Sequence, residues 1–120
     1  MGSLTGKKVF ITGAEQGIGK ETARKLIEAG CDIYIHYFSG EEGPRELIAI
    51  AQQRGAKAAC GYADLTNEAD AARCVAAGAA FLGGIDILVN NVGGIIARKW
   101  LGEIDPQFWR TVIDVNMTTM

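Results

Sequence analysis

The sequence predicts an α/β fold, a doubly wound parallel sheet with helices on both faces, of which these 120 residues supply the first half. Three observations predict it. Strand-like and helix-like segments alternate four times along the chain. A glycine-bearing run, Thr12-Gly13-Ala14-Glu15-Gln16-Gly17-Ile18-Gly19, joins the first strand to the first helix. The fourth strand-like segment is apolar almost throughout, as a parallel strand covered on both faces must be. Right-handed crossovers then set the strand order 3-2-1-4 in a three-layer arrangement.

Each element has a local reason. Residues Lys8–Thr12 read as the first strand and Ile18–Ala29 as a helix, with apolar or small residues at 18, 22, 26 and at 23, 27, and Gly30 as its stop. Asp32–Phe38 is rich in β-branched and aromatic residues and reads as the second strand. Pro44 suits the first turn of a second helix, whose inner face is Leu47, Ile48 and Ala51 and whose stop is Gly55. Lys57–Tyr62 makes the third strand. Asn67 caps a third helix with the stripe Ala71, Val75, Gly78 and Leu82, closed by Gly83-Gly84. Ile85–Asn90 is the fourth strand. A last helix is capped by Asp105 and opened by Pro106.

The glycine run points to a nucleotide. Gly13 allows a tight turn, Gly17 lets the backbone approach a pyrophosphate, and Gly19 lets the helix pack closely on the strand. The helix N-terminus adds free N–H groups and partial positive charge. In this topology a ligand lies at the carboxyl ends of the strands, and Thr12, Tyr37-Phe38-Ser39, Asp64-Leu65 and Asn90-Asn91 all fall there.

Composition narrows the classes. A net charge of -2 leaves no basic footprint for nucleic acid or an anionic membrane, and the 48% of hydrophobic residues fall in short runs, none long enough to span a bilayer. Met1-Gly2-Ser3 opens no leader, and Gly6 stands where an N-myristoylation motif wants serine or threonine. Cys31, Cys60 and Cys74 are odd in number and lack metal-ligand spacing, so reduced, buried thiols and a cytoplasmic location are expected.

Together these residues resemble the short-chain dehydrogenase/reductase family. The resemblance runs the whole length of the chain, on T-G-A-x-x-G-I-G at Thr12–Gly19, Asp64-Leu65 after the third strand, N-N-x-G at Asn90–Gly93 and V-I-D-x-N at Val112–Asn116. It implies a single Rossmann-type domain over residues 1–120 that binds NAD or NADP, hydride exchange with a small-molecule carbonyl or alcohol, and a homo-oligomer. Carried over by position, Gly13, Gly17, Ile18 and Gly19 line the pyrophosphate, Gln16 is a cofactor contact where NADP-using members often place arginine or lysine, and Tyr37, Phe38 and Ser39 face the adenosine ribose. Asp64 and Leu65 meet the adenine, and Asn91 and Gly93 the other ribose, with Asn90 bracing the strand ends. Val92 stands where the family usually has alanine.

Several positions carry two readings. Asp64 can accept from the adenine amine or cap the helix near Asn67. Asn116 falls on an otherwise apolar face of the last helix, where Phe108, Val112 and Val115 form one stripe and Trp109, Ile113, Asn116 and Met120 the next. It is either a structural pin or, as the resemblance implies, part of a proton relay toward a catalytic lysine, the reading the surrounding motif favours. No acid at Tyr37 repels a 2′-phosphate, so NADP is favoured over NAD, with both open. His36, the only histidine, reads as a packed or exposed strand residue, and Arg98-Lys99 as a solvated loop pair.

The family's serine and its tyrosine followed four residues later by lysine are not found among Tyr34, Tyr37, Tyr62 and their neighbours. They are expected beyond Met120. Two readings therefore stand: the cofactor-binding half of an oxidoreductase, inactive by itself, or a non-catalytic nucleotide-binding or assembly module.

Overall fold

The computed structural model describes residues 4–120, so the start Met1-Gly2-Ser3 lies outside the described residues. Four parallel strands form one sheet: β1 Lys8–Ile11, β2 Asp32–Tyr37, β3 Ala58–Tyr62 and β4 Ile87–Val89. Their order is β3-β2-β1-β4, as the crossover rule requires. The helices are α1 Gly17–Glu28, α2 Glu42–Gln53, α3 Glu68–Leu82 and α4 Pro106–Ile113, and α4 runs on into a π-helical turn over Asp114–Thr118. No helix among the described residues is long and apolar enough to cross a membrane.

Strand alternation divides the core. Val9, Ile11, Ile33 and Ile35 face α1 and α2, packing on Ala23, Ile27, Leu47 and Ala51. Phe10 and Tyr34 point the other way, toward Cys74 and Leu82 of α3, with their rings stacked at 5.4 Å. The register pairs Ile11 with Ile35 and with Val89, so β1, β2 and β4 end side by side.

The chain ends of the helices follow the residues expected. Asn67 accepts from the Asp70 N–H at 2.9 Å, Asp105 accepts from the Phe108 N–H at 2.7 Å, and Gly83 closes α3 in the left-handed region at φ 78°. Pro44 falls in the first turn of α2, where no intrahelical bond is lost.

Three packing expectations need correction. The buried face of α1 is Gly19, Ala23 and Ile27, whereas Ile18 is 82% exposed, because the 19–23–27 row is the one that meets the sheet. On α3 the inner row is Cys74, Gly78 and Leu82, and Val75 lies one position off it, exposed. The last helix, read with two apolar stripes, buries neither fully: no α4 residue is fully buried, since β4 is the edge strand and its Leu88 is exposed. Cys31 and Cys74 are buried and Cys60 half-buried, all three unpaired.

Candidate functional site

The turn after β1 is built to leave helix α1 open at its N-terminus. Gly13 and Gly17 take φ of 64° and 61°, values that side chains disfavour. Gln16 precedes α1 in an extended conformation and makes no side-chain cap. The N–H groups of the first turn of α1 therefore have no capping side chain, unlike those of α3 and α4. A Cβ at Gly17 would meet nothing within 4 Å, so the backbone there faces open space. An uncapped, exposed helix start of this kind suits an anion, and the residues present fit the pyrophosphate of a dinucleotide.

The third glycine is required by contact. A Cβ at Gly19 would overlap the Asn91 amide and lie 2.7 Å from the Gly13 carbonyl oxygen. That amide is a structural clamp: Asn91 Nδ2 donates to the Gly13 carbonyl at 2.9 Å, and the Asn91 N–H donates to Thr12 Oγ1 at 2.9 Å. The bracing expected of Asn90 belongs to Asn91 instead, because Asn91 is the residue that reaches the α1 side of β4, while Asn90 is exposed.

A crevice of about 430 Å³ opens at the strand ends, and it is lined by Gly13, Gln16, Ile18, Gly19, Phe38, Asp64, Leu65, Asn91 and Gly93 among others. The four separated segments thus meet in one place. Asp64 lies in the wall with Oδ1 engaged by the Thr66 N–H at 3.0 Å and hydroxyl at 2.6 Å, and its own N–H donates to Asp70 Oδ2. That N–H bond holds the Asp70 carboxyl below its usual range, with Arg73 adding to it. The capping of α3 falls to Asn67, so Asp64 orders the loop rather than the helix.

Tyr37 does not line this crevice. Its parity in β2 turns the ring away, onto Tyr62 at 6.2 Å, and its hydroxyl donates to Glu41 Oε1 at 2.6 Å. The bond to Glu41 pushes the Tyr37 pKa up to about 12. Phe38 does face the crevice, stacked on Tyr62 at 5.8 Å. Ser39 stands beside it, its N–H and hydroxyl both bonded to Glu15.

Two residues of the site were given no part in it by the sequence: His36, read there as a packed or exposed strand residue, and Glu15. His36 is 1% exposed and joins two segments: Nδ1 accepts from the Gly13 N–H at 3.0 Å, so Nε2 carries the proton and donates to the Ala63 carbonyl at 2.8 Å. The Gly13 N–H is thereby taken, and Gly13 serves the turn's shape. Glu15 is the other, joined by its carboxylate to the end of β2. In a strand of alternating faces, a histidine opposite the apolar Ile33–Ile35 row was the readable signal for the first. The second depends on a loop position that spacing alone does not supply.

At the far wall Asn116 pins the loop after β4. Oδ1 accepts from the Gly94 N–H at 2.9 Å, and Nδ2 donates to the Gly94 and Val112 carbonyls, each at 2.9 Å. The amide is half-buried and its bonding capacity is well used. Val115 and Thr119 of the π turn and its end complete the crevice beside it.

Fold and site together define a Rossmann-type α/β unit with a crevice at the carboxyl ends of its strands. The short chain dehydrogenase family pattern matches residues 7–120, and the chain belongs to that family. It is 40% identical over 120 residues to 3beta-hydroxysteroid dehydrogenase 1 of Eggerthella lenta, covering 96% of this chain and 44% of that one. With glucose 1-dehydrogenase 2 of Bacillus subtilis it shares 32% identity over 115 residues, 96% of this chain and 45% of the other. Among solved structures, NADH-dependent reductase A1-R' complexed with NAD superposes with a TM-score of 0.90 at 34% identity, over 98% of this chain and 48% of that one. The chain spans less than half the length of these relatives.

Proposed function

We propose that residues 1–120 are the single cofactor-binding domain, or half, of an NAD(P)-dependent oxidoreductase that exchanges hydride with a small carbonyl or alcohol. The uncapped start of α1 behind the Gly13–Gly19 turn carries this reading, since it offers an anion site at the strand ends where family members hold a dinucleotide. The nicotinamide, when bound, supplies or takes the hydride.

The chain's own residues bind and orient. Gly17, Ile18 and Gly19 receive the pyrophosphate, with Gln16 at the rim and Gly13 shaping the turn. Phe38 and Ser39 meet the adenosine ribose, Asp64 and Leu65 the adenine, and Asn91 and Gly93 the second ribose. Asn116 holds the loop 91–94 against the π turn, and the proton path implied for it runs through this neighbourhood while the amide itself acts as the brace. The family's proton donor, a tyrosine with lysine four residues on, does not occur among these 120 residues, so the proton step is assigned to none of them. Three unpaired thiols favour a reducing compartment, the cytoplasm, and the exposed Trp109, Met117 and Met120 favour a homo-oligomer.

Gly19→Val tests the reading. The added side chain displaces the Asn91 clamp, and calorimetric titration of the complete protein is expected to show loss of NAD⁺ and NADP⁺ binding. Unchanged affinity for both refutes it.

A further inference from the structure

The crevice holds one charged side chain to which neither the glycine turn nor the strand ends assign a part. Glu15 Oε2 accepts from the Phe38 N–H at 2.8 Å, the Ser39 N–H at 2.9 Å and the Ser39 hydroxyl at 3.0 Å. Three donors converging on one oxygen are what an anionic oxygen asks of a protein, and here the protein has filled the place with its own carboxylate. The place itself is significant, since the end of the second strand, about 20 residues past the glycine turn, is where a dinucleotide fold meets the ribose 2′ position.

We propose that Glu15 selects the cofactor: its carboxylate takes the donors that a ribose 2′-phosphate needs, so that the protein accepts NAD(H) and turns NADP(H) away. This deepens the dinucleotide reading above and rests on it. The acid missing from position 37 is supplied from the turn instead, and the expectation of NADP, drawn from Tyr37, gives way.

Displacing the carboxylate is costly because its backbone is fixed from two sides. The Ala14 N–H donates to the His36 carbonyl at 3.2 Å, and α2 crosses so near that a Cβ at Gly43 would overlap the Glu15 carbonyl oxygen. Two cations on the adjoining helices are engaged elsewhere: Lys20 pairs with Glu46 at 2.7 Å, and Arg45 pairs with Glu41. A 2′-phosphate brought beside Glu15 therefore meets like charge and donors already in use. A 2′-hydroxyl is a donor, and Oε1, which takes none of the three bonds, is free to accept from it. Burial pushes the Glu15 carboxyl up, but the Phe38 and Ser39 N–H groups and the Ser39 hydroxyl more than offset it, and the group is held below its ordinary value and charged at neutral pH.

The test is calorimetric titration of the complete protein with NAD⁺ and NADP⁺, with circular dichroism to confirm that each variant folds. The unmodified protein is expected to bind NAD⁺ tighter by about 30-fold, or about 2 kcal/mol. Glu15→Gln keeps an acceptor for the loop and removes the charge, and it narrows that ratio. Glu15→Ser also frees the donors and narrows it further, chiefly by strengthening NADP⁺ binding. Tighter NADP⁺ binding by the unmodified protein, or NAD⁺ binding with a ratio that neither variant moves, overturns the role of Glu15 and leaves the dinucleotide reading standing. Failure of the unmodified protein to bind either dinucleotide overturns both.

Discussion

Replacing His36 by leucine removes the side chain that, among the described residues, ties the glycine turn to the end of β3. Leucine is close in size, so the packing beneath α3 survives while two hydrogen bonds do not. The Gly13 N–H loses its 3.0 Å partner and the Ala63 carbonyl its 2.8 Å partner, at a residue that is 1% exposed. A buried polar group left without a partner costs about 1–3 kcal/mol. The crevice beside His36 lets water reach part of this pair, which places the sum at about 2–4 kcal/mol. For a domain of the relatives' size that is a fall in Tm of roughly 5–10 °C. His36→Asn separates the two bonds: its shorter side chain can still accept from Gly13 but does not reach Ala63, and an intermediate loss is expected. The assay is thermal unfolding of the complete protein, paired with NAD⁺ titration to read the turn itself. A leucine variant with unchanged Tm and unchanged NAD⁺ affinity would refute the assignment of His36 as the anchor of the turn.

Three further outcomes follow from the same geometry. Tyr37 ionises at about 12 in the folded chain against 10.0 in the unfolded one, so stability is full below pH 10 and declines as pH rises toward 12; Tyr37→Phe should flatten that alkaline limb in denaturant titrations, and an unaltered limb would count against the Glu41 bond. Purified chain 1–120 should consume no NADH or NADPH with a ketone substrate, because it has no tyrosine–lysine pair; steady turnover would show another proton donor among the residues above. The same chain should self-associate, since β4 is a sheet edge with Leu88 exposed and Ile95, Trp100 and Leu101 exposed after it; a stable monomer in light scattering over a wide concentration range would contradict this.

Much of the backbone was legible because it depends on short-range signals. Alternation of segments, glycine stops and the caps Asn67 and Asp105 are properties of a few neighbouring residues, and crossover handedness turns them into a sheet order. Strand ends were read one residue too long at Thr12 and Phe38, where the chain leaves the ladder to make the site. The errors in packing have a common cause. Val75 and Ile18 are apolar and lie near a buried row, but a helical step of one residue rotates a side chain by about 100°, enough to move it off the face.

The side chains of the site were harder, and β2 shows why. Residues 34 to 39 all lie near the crevice in sequence, yet alternation sends Tyr37 to the α2 side and His36 to the α3 side, and only then does the strand release Phe38 and Ser39 into the loop. Position relative to a family motif identifies the segment, but the parity of the strand decides which member of it faces the ligand. Glu15 reaches the same segment from another loop 23 residues earlier, through hydrogen bonds to backbone N–H groups that every non-proline residue carries. Such a contact leaves no pattern at positions 38 and 39 to read. On the role proposed for Glu15, the acid absent at 37 is supplied from the turn, because a site needs a charge at a point in space rather than at a position in the sequence.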